Sequence, residues 1–178
     1  MPACRVTDDN ASADRSRAGI AGTLLAIDQR GLLITGESGC GKSLLALGLL
    51  DRGHALISDD LVELEADTPA LIGHCPTQLR GRLEVRGIGL VDVCQLFGPM
   101  AWRDSVRIER ILHLQRTETA EVWHGWPRPD GQRDYRTLLG VRVPRLTLPI
   151  GGDGISPLLA ETSLRHGTAV PAGGVDDG

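Results

Sequence analysis

Apolar residues alternate with short polar breaks along most of the chain, and their spacing predicts strands more often than helices. Two apolar runs, residues 23–27 and 32–35, flank the turn sequence Asp28-Gln29-Arg30-Gly31. A short polar turn that ends in glycine between two β-forming runs predicts a hairpin. The second strand of this hairpin continues into the glycine-rich stretch GESGCGKS.

A helix is predicted directly after that stretch. SLLALGLLDRG is dense in leucine and alanine and ends at Gly53, a residue type that commonly terminates helices. Further strands are predicted at HALIS, at LVELE, on both sides of the glycine turn in GRLEVRGIGLVDV, at SVRIERILHLQR and at VPRLTLPI, with a final short helix in ISPLLAETSLRHG. A Rossmann or Ras-like fold would enter the glycine-rich loop from a strand reached through a crossover. The local hairpin instead predicts an α/β fold with a mixed, partly antiparallel sheet and few helices.

Composition adds a broad class to this pattern. The chain has 178 residues, of which 41% are hydrophobic and 24% charged, as in an ordinary globular domain. Aromatic residues make up only 3%, so we expect a core of leucine, valine, isoleucine and alanine. The net charge of −4 argues against a nucleic-acid partner.

The two ends of the chain differ from its middle. Residues 1–18 are polar and predict a disordered leader, and residues 166–178 are small and turn-forming and predict a flexible tail. The catalytic domain is expected over residues 19–165. The start has no apolar run typical of a secretory signal, and no segment approaches the length of a membrane span.

The four cysteines are scattered at positions 4, 40, 75 and 94, with no C-x-x-C pair among them. This arrangement favours free thiols over a zinc site or a disulfide framework, and we expect a cytoplasmic protein.

GESGCGKS fits the phosphate-loop pattern G-x-x-x-x-G-K-[ST] at every fixed position. Its glycines let backbone N–H groups point at anionic oxygens, and the following helix adds the positive end of its dipole. Lys42 is expected to neutralise the β- and γ-phosphates, and the Ser43 hydroxyl to coordinate Mg²⁺. The predicted nucleotide-binding residues are Gly36, Glu37, Ser38, Gly39, Cys40, Gly41, Lys42 and Ser43.

Cys40 occupies a variable position of this loop. One interpretation is a small residue that is tolerated because its side chain points out. The other is a thiol whose oxidation would block nucleotide binding.

Asp59 and Asp60 follow the predicted strand HALIS. Many phosphate-loop proteins carry a Mg²⁺-linked aspartate at the end of an apolar strand. On an extended backbone two adjacent side chains point to opposite faces, so one carboxylate could serve the metal while the other takes the proton of an acceptor hydroxyl. The alternative is a polar turn between two strands.

Glu84 lies among Arg80, Arg82 and Arg86 in the next strand. Its carboxylate could be a second metal ligand, and the arginines could pair with phosphate. The alternative is a surface strand with alternating charges.

LLITGESGCGKSLLALGLLDRGHALISDDLVEL together with LEVRGIGLVDVCQLFG resembles the C-terminal kinase domain of bacterial HPr kinase/phosphorylase. The clear match covers about residues 20–97, and LLGVRVPRLTLPI resembles a late strand of the family. Because only about 18 residues precede the match, the chain is similar to the short single-domain members.

The resemblance implies a phosphoenolpyruvate-carboxykinase-like P-loop fold and ATP- and Mg²⁺-dependent phosphorylation of a seryl residue on HPr, a carrier protein of the sugar phosphotransferase system. Carried over by position, Lys42 binds phosphate, Ser43 and Glu84 serve Mg²⁺, and Asp60 accepts the proton. Asp59 would support the metal or the base. Self-association is also implied, since longer members form hexamers.

Two further departures from the family pattern concern charged residues. A family histidine usually stands where this chain has Ala21, and a late family loop that carries arginine is here Pro149-Ile150-Gly151-Gly152-Asp153-Gly154. We therefore expect little of the reverse reaction, phosphorolysis of the phosphoseryl protein. A further family arginine corresponds to Arg133 or Arg136.

Three functions remain open at this point. The first is an HPr serine kinase, and the second is a related kinase with another acceptor, such as a small hydroxyl compound. The third is a nucleotide-binding regulatory module with little turnover, which the alanine at position 21 favours and the retained Asp60, Lys42, Ser43 and Glu84 oppose.

Overall fold

The computed structural model describes residues 17–116, 131–151 and 154–166. Its α-helices and strands follow one another as β1 (Arg17–Ala21), β2 (Thr23–Ile27), β3 (Arg30–Gly36), α1 (Lys42–Asp51), β4 (Ala55–Ser58), β5 (Leu61–Asp67), β6 (Ala70–His74), β7 (Arg82–Val85), β8 (Gly89–Asp92), α2 (Val93–Phe97), β9 (Ser105–Arg116), β10 (Gln132–Leu138), β11 (Val141–Ile150) and α3 (Pro157–Arg165).

The main sheet is mixed, as the sequence predicted. Its strands follow the order β1-β5-β6-β9-β3-β2-β4. Strand β11 pairs with β9 and brings β10 into the same sheet. The pairs β3–β9 and β9–β11 are parallel, whereas the other pairs of this sheet are antiparallel. A separate antiparallel ribbon consists of β7 and β8. The carboxyl ends of β3, β9 and β11 therefore lie side by side at one edge.

The predicted hairpin is formed by β2 and β3, but its turn is shorter than expected. Only Asp28 and Gln29 lie outside the strands, and both have left-handed φ angles, 49° and 68°. A two-residue turn with two positive φ values matches the right-handed twist of paired strands. For this reason β3 already begins at Arg30.

Strands β1, β6 and β10 and the short helix α2 were not predicted. Strand β1 is largely exposed and pairs with β5, and it includes Arg17 and Ala18, the last two residues of the expected leader. Strand β10 is polar, and a buried ion pair between Asp134 and Arg145 of β11 stabilises it. Residues 1–16 of the expected leader and residues 167–178 of the expected tail lie outside the described residues.

Two apolar cores lie on opposite faces of the main sheet. One, which includes Leu32, Leu112 and Leu49, packs the sheet against α1, α3 and the β7–β8 ribbon. The other, which includes Leu33 and Val62, fills the space beneath β5 and β6. Both cores consist almost entirely of aliphatic side chains, as the low aromatic content predicted.

Helix α3 is held against the end of α1 by a buried carboxylate. Glu161, 1% exposed, accepts hydrogen bonds from Nε and Nη2 of Arg52 and lies 2.9 Å from Nε2 of His54. The hydrogen bonds from Arg52, above all, lower the pKa of Glu161 from 4.5 to about 2. The Arg110 guanidinium of β9 also donates to the carbonyl oxygen of Ser163.

Close backbone packing joins the same two helices. A Cβ atom at Gly48 of α1 would lie 2.6 Å from Cγ of Pro157, the first residue of α3.

No helix in the described parts of the chain is long and apolar enough to cross a membrane.

Candidate functional site

The phosphate loop connects β3 to α1, the context that its motif requires. Gly36 ends β3, where a Cβ atom would lie 2.5 Å from the carbonyl oxygen of Leu114. Gly41 precedes the helix with φ of 92°, a left-handed value that favours glycine. The first N–H groups of α1 and the positive end of its dipole therefore face the loop.

Lys42 closes over the loop from the first turn of α1. Its Nζ atom donates to the carbonyl oxygens of Gly36 and Glu37, each at 2.9 Å. These two contacts hold the ammonium group across the open side of the loop, where it is available to an anion. Lys42 Nζ also lies 3.9 Å from Sγ of Cys40.

The Cys40 side chain is buried, at 4% exposure, and belongs to the core beneath the loop. A Cβ atom at Gly36 would come within 2.9 Å of its sulfur. The thiol thus faces the protein interior under the loop, and the interpretation of Cys40 as a residue whose side chain points out is wrong.

Asp59 lies beneath the loop at the junction of three segments. Its Oδ1 atom accepts a hydrogen bond from the Thr23 hydroxyl at 2.6 Å. Its Oδ2 atom lies 3.3 Å from both the Ser43 hydroxyl and the Glu84 backbone N–H, which donate to it. The carboxylate is 4% exposed, and burial raises the pKa of Asp59, with the hydrogen bond from Thr23 acting in the opposite direction.

Asp60 faces the cleft instead. Its φ angle is 65°, and the N–H of Leu61 donates to the carbonyl oxygen of Asp59 at 2.8 Å. A hydrogen bond between residues two apart, with a positive φ at the central residue, defines a tight γ-turn. The two aspartates therefore point in different directions because of a strained turn, and not because of the extended backbone that the sequence predicted.

Glu84 reaches the same cleft from the β7–β8 ribbon. Its strand alternates exposed and buried residues, with Leu83 and Val85 in the core and Glu84 on the open side. Arg86 follows on that side, and its guanidinium lies within 3.3 Å of where a Cβ atom of Gly39 would be. The hydrogen bond from the Glu84 N–H to Asp59 fixes the position of β7 relative to the loop.

One open cleft of about 970 Å³ brings most of the predicted residues together. Its lining includes Ser38, Gly39, Cys40, Gly41, Lys42, Ser43, Asp60 and Glu84. Gly36, Glu37 and Asp59 are not among the lining residues: Asp59 is buried beneath the loop, Gly36 is half-buried at the end of β3, and Glu37 is exposed. A cleft lined by backbone N–H groups, one ammonium group and two carboxylates suits a polyphosphate and a divalent cation.

Among the residues that the structure describes, no three His, Cys, Asp or Glu side chains form a group that could hold a metal alone. Mg²⁺ commonly binds one or two carboxylates and completes its shell with water and substrate phosphates. The donor set of Ser43 and Glu84 above the carboxylate of Asp59 fits that mode.

The structure also locates Ala21 and the two candidate arginines, Arg133 and Arg136. Ala21 ends β1 opposite Leu61, and the N–H of the next residue, Gly22, donates to the carbonyl oxygen of Asp60. The position of the family histidine is therefore adjacent to the turn that carries Asp60. Arg133 and Arg136 lie on β10 and do not line the cleft.

Sequence reasoning missed two residues at this site. Thr23 gave a weak signal, since it is a hydroxyl residue at the start of an otherwise apolar strand. Arg116, at the end of β9, lines the cleft, and its Nη2 atom donates to the carbonyl oxygen of Gly39 at 3.1 Å. No local pattern connects Arg116 with a loop that lies almost 80 residues earlier.

Comparison with known proteins agrees with this geometry. The family model described as HPr Serine kinase C-terminal domain matches residues 14–168. The HPr kinase/phosphorylase of Bordetella pertussis is 39% identical over 158 residues, which cover 88% of this chain and 50% of the relative. That of an Azoarcus species is 38% identical over 147 residues, covering 82% and 46%. The chain thus spans about half the length of these relatives.

A solved structure, described as the Hpr(Ser) kinase/phosphatase from Coxiella burnetii, superimposes with a TM-score of 0.72 at 35% sequence identity. The alignment covers 83% of this chain and 94% of that one. The mixed sheet, the phosphate loop at its edge and the family model together lead to one conclusion: this chain belongs to the HPr serine kinase C-terminal domain family.

Proposed function

We propose that this chain is an ATP- and Mg²⁺-dependent serine kinase that phosphorylates an HPr-type phosphocarrier protein. The observation that carries the proposal is the exposed carboxylate of Asp60 in the same cleft as Lys42 and the phosphate loop. A nucleotide donor needs the loop, and a hydroxyl acceptor needs a base in reach of the phosphoryl group. The relatives' names supply the acceptor, HPr.

In the proposed reaction the loop N–H groups and Lys42 hold the phosphates of ATP and stabilise the charge that develops on the transferred group. Asp60 accepts the proton of the seryl hydroxyl as its oxygen forms a bond to the γ-phosphorus and the bond to the leaving ADP oxygen breaks. Bound Mg²⁺ would neutralise phosphate charge, with Ser43 and Glu84 as its protein ligands. Asp59 orients the Ser43 hydroxyl from beneath, at 3.3 Å.

Phosphorolysis is expected to be weak. Ile150 at the end of β11 and Gly151 and Gly154 of the late loop line the cleft, and residues 149–154 include no arginine or lysine. Phospho-HPr with inorganic phosphate should therefore release little pyrophosphate. Efficient release would contradict this part of the proposal.

The decisive experiment incubates the purified protein with γ-labelled ATP, Mg²⁺ and HPr from the same organism. Label on a seryl residue of HPr supports the proposal. Nucleotide binding without transfer to HPr would favour another acceptor or a regulatory module, and a panel of small hydroxyl compounds in the same assay separates those two.

The cellular setting is part of the same proposal. Cys40, Cys75 and Cys94 are free thiols, which suits a reducing cytoplasm. Self-association, which the family resemblance implies, stays a prediction that light scattering of the purified protein tests.

A further inference from the structure

We infer that Arg116 is a phosphate-binding residue of this cleft, held at the tip of the phosphate loop. The inference rests on the proposed function in one respect, namely that the ligand of the cleft is a nucleoside triphosphate. It goes beyond that function because neither the phosphate-loop motif nor the family resemblance assigns a role to Arg116.

The first support is sheet topology. Gly36 of β3 pairs with Leu114 of β9, and Arg116 of β9 pairs with Ile150 of β11, both in parallel register. Strand β9 thus runs between the strand that ends in the phosphate loop and the strand that ends in the late loop. Because carboxyl ends of parallel strands meet at one edge, Arg116 emerges between the two loops, where such sheets bind ligands.

The second support is the orientation of the side chain. The Arg116 Nη2 atom donates to the carbonyl oxygen of Gly39 at 3.1 Å, which holds the guanidinium at the tip of the phosphate loop. Arg86 approaches Gly39 from the β7–β8 ribbon. Both arginines line the same cleft, so two guanidinium groups approach Gly39.

The third support is charge. Among the described residues Arg116 forms no ion pair with a carboxylate, and its one described hydrogen bond uses a single donor of the five that a guanidinium offers. The remaining N–H groups are free to donate to two phosphate oxygens in one plane, the arrangement in which arginine binds phosphate most strongly. Lys42, in contrast, acts as a point charge.

The late loop contributes only Gly151 and Gly154 to the described lining of the cleft, and neither carries a charge. Arg116 lines the same cleft as both glycines. Arg116 is held at the phosphate loop through Gly39, so the late loop itself stays without a cation.

The test uses the full chain and two probes, inorganic tripolyphosphate and a non-hydrolysable ATP analogue, titrated calorimetrically in the presence of Mg²⁺. Arg116→Ala should weaken binding of both probes by roughly ten- to a hundredfold, the range for a lost charge-assisted hydrogen bond. Arg116→Lys should restore part of the loss. Arg107→Ala is the matched control, because Arg107 is exposed on the same strand, at about 30 Å from Arg116 by strand geometry, and should bind like the wild type.

Equal binding of tripolyphosphate by Arg116→Ala and wild type overturns the inference, as does a wild type that binds no tripolyphosphate. A loss confined to the ATP analogue also overturns it, since Arg116 would then contact the nucleoside. Because tripolyphosphate binding needs no acceptor, failure of label transfer to HPr counts against the proposed function and leaves this result standing. The salt dependence of tripolyphosphate binding should also be shallower for Arg116→Ala than for wild type, because one cation fewer contacts the probe.

Discussion

The hydroxyl of Thr23 donates to Oδ1 of Asp59 at 2.6 Å and joins the first strand of the hairpin to the carboxylate beneath the phosphate loop. The same carboxylate accepts from Ser43 and from the backbone of Glu84. The buried Asp59 carboxylate thus connects β2, the first turn of α1 and the β7–β8 ribbon.

Removal of the Thr23 hydroxyl should destabilise the protein. In Thr23→Val, the buried Asp59 carboxylate loses its shortest hydrogen bond, and we expect the free energy of unfolding in urea to fall by about 1–3 kcal/mol. The pKa of Asp59, already raised by burial, should rise further. Thr23→Ser keeps the hydroxyl and should stay near wild type; equal stability of Thr23→Val and wild type would show that the contact contributes nothing.

Removal of the Asp60 carboxylate should abolish transfer without loss of nucleotide binding. Asp60→Asn lacks the base, and we expect phosphoryl transfer to HPr to slow by at least about a hundredfold. Binding of a non-hydrolysable ATP analogue should remain close to wild type. Asp67→Asn, an exposed carboxamide substitution at the end of β5, is the control. Normal transfer by Asp60→Asn would mean that another group accepts the proton.

Asp60 should also illustrate a conflict between stability and activity. Its φ of 65° is costly for a residue with a side chain and free of cost for glycine. Asp60→Gly should therefore unfold at higher urea concentration, with a gain of about 1 kcal/mol, and yet transfer no phosphate. A less stable Asp60→Gly protein would indicate that the carboxylate makes stabilising contacts of its own.

The Glu161 carboxylate should determine part of the acid stability. Its pKa is about 2 in the folded chain against an ordinary 4.5, so its contribution is complete above about pH 4.5 and is lost as the pH falls towards 2. Glu161→Gln should lower the free energy of unfolding by on the order of 2 kcal/mol at pH 7 and by much less near pH 2. Urea titrations at several pH values measure this. A difference that does not shrink between pH 4.5 and 2 would contradict the assignment.

Gly48→Ala should destabilise the chain although alanine is the better helix former. Alanine gains about 1 kcal/mol in a helix interior, but the added methyl group would meet Pro157 at 2.6 Å. Overpacking of this kind costs about 1–3 kcal/mol, so we expect a net loss in urea unfolding. The double variant with Pro157→Ala should recover most of it, and an absence of coupling between the two positions would count against the predicted clash.

The sequence predicted the parts of this fold whose signals are local. The β2–β3 hairpin, the phosphate loop and α1 follow each other within 30 residues, and each has its own turn, glycine or periodicity signal. Strand β10 gave no such signal, because its stability depends on pairing with β11 and on the ion pair of Asp134 with Arg145. Strand β1 is an exposed edge whose partner, β5, lies more than 40 residues later.

The candidate site divides in the same way. Lys42, Ser43 and the aspartate pair were identified from motif and order along the chain, and the cleft does contain Lys42, Ser43 and Asp60. Asp59 was expected on an extended backbone, and the γ-turn at Asp60 could not be anticipated because few non-glycine residues adopt a positive φ, although aspartate does so more often than most. Arg116 depends on a parallel pairing between distant strands, which no short segment encodes.

The three neighbouring strand ends of β3, β9 and β11 have a consequence for how relatives of this chain are compared. A sequence alignment compares each loop position by position, so a glycine in place of an arginine after β11 would be interpreted as the loss of a phosphate-binding residue. In the folded chain the ends of β3, β9 and β11 are neighbours, so a residue at the end of any of these strands can face the same ligand. Relatives are therefore best compared by the charged residues at all three strand ends together, and not at one loop at a time.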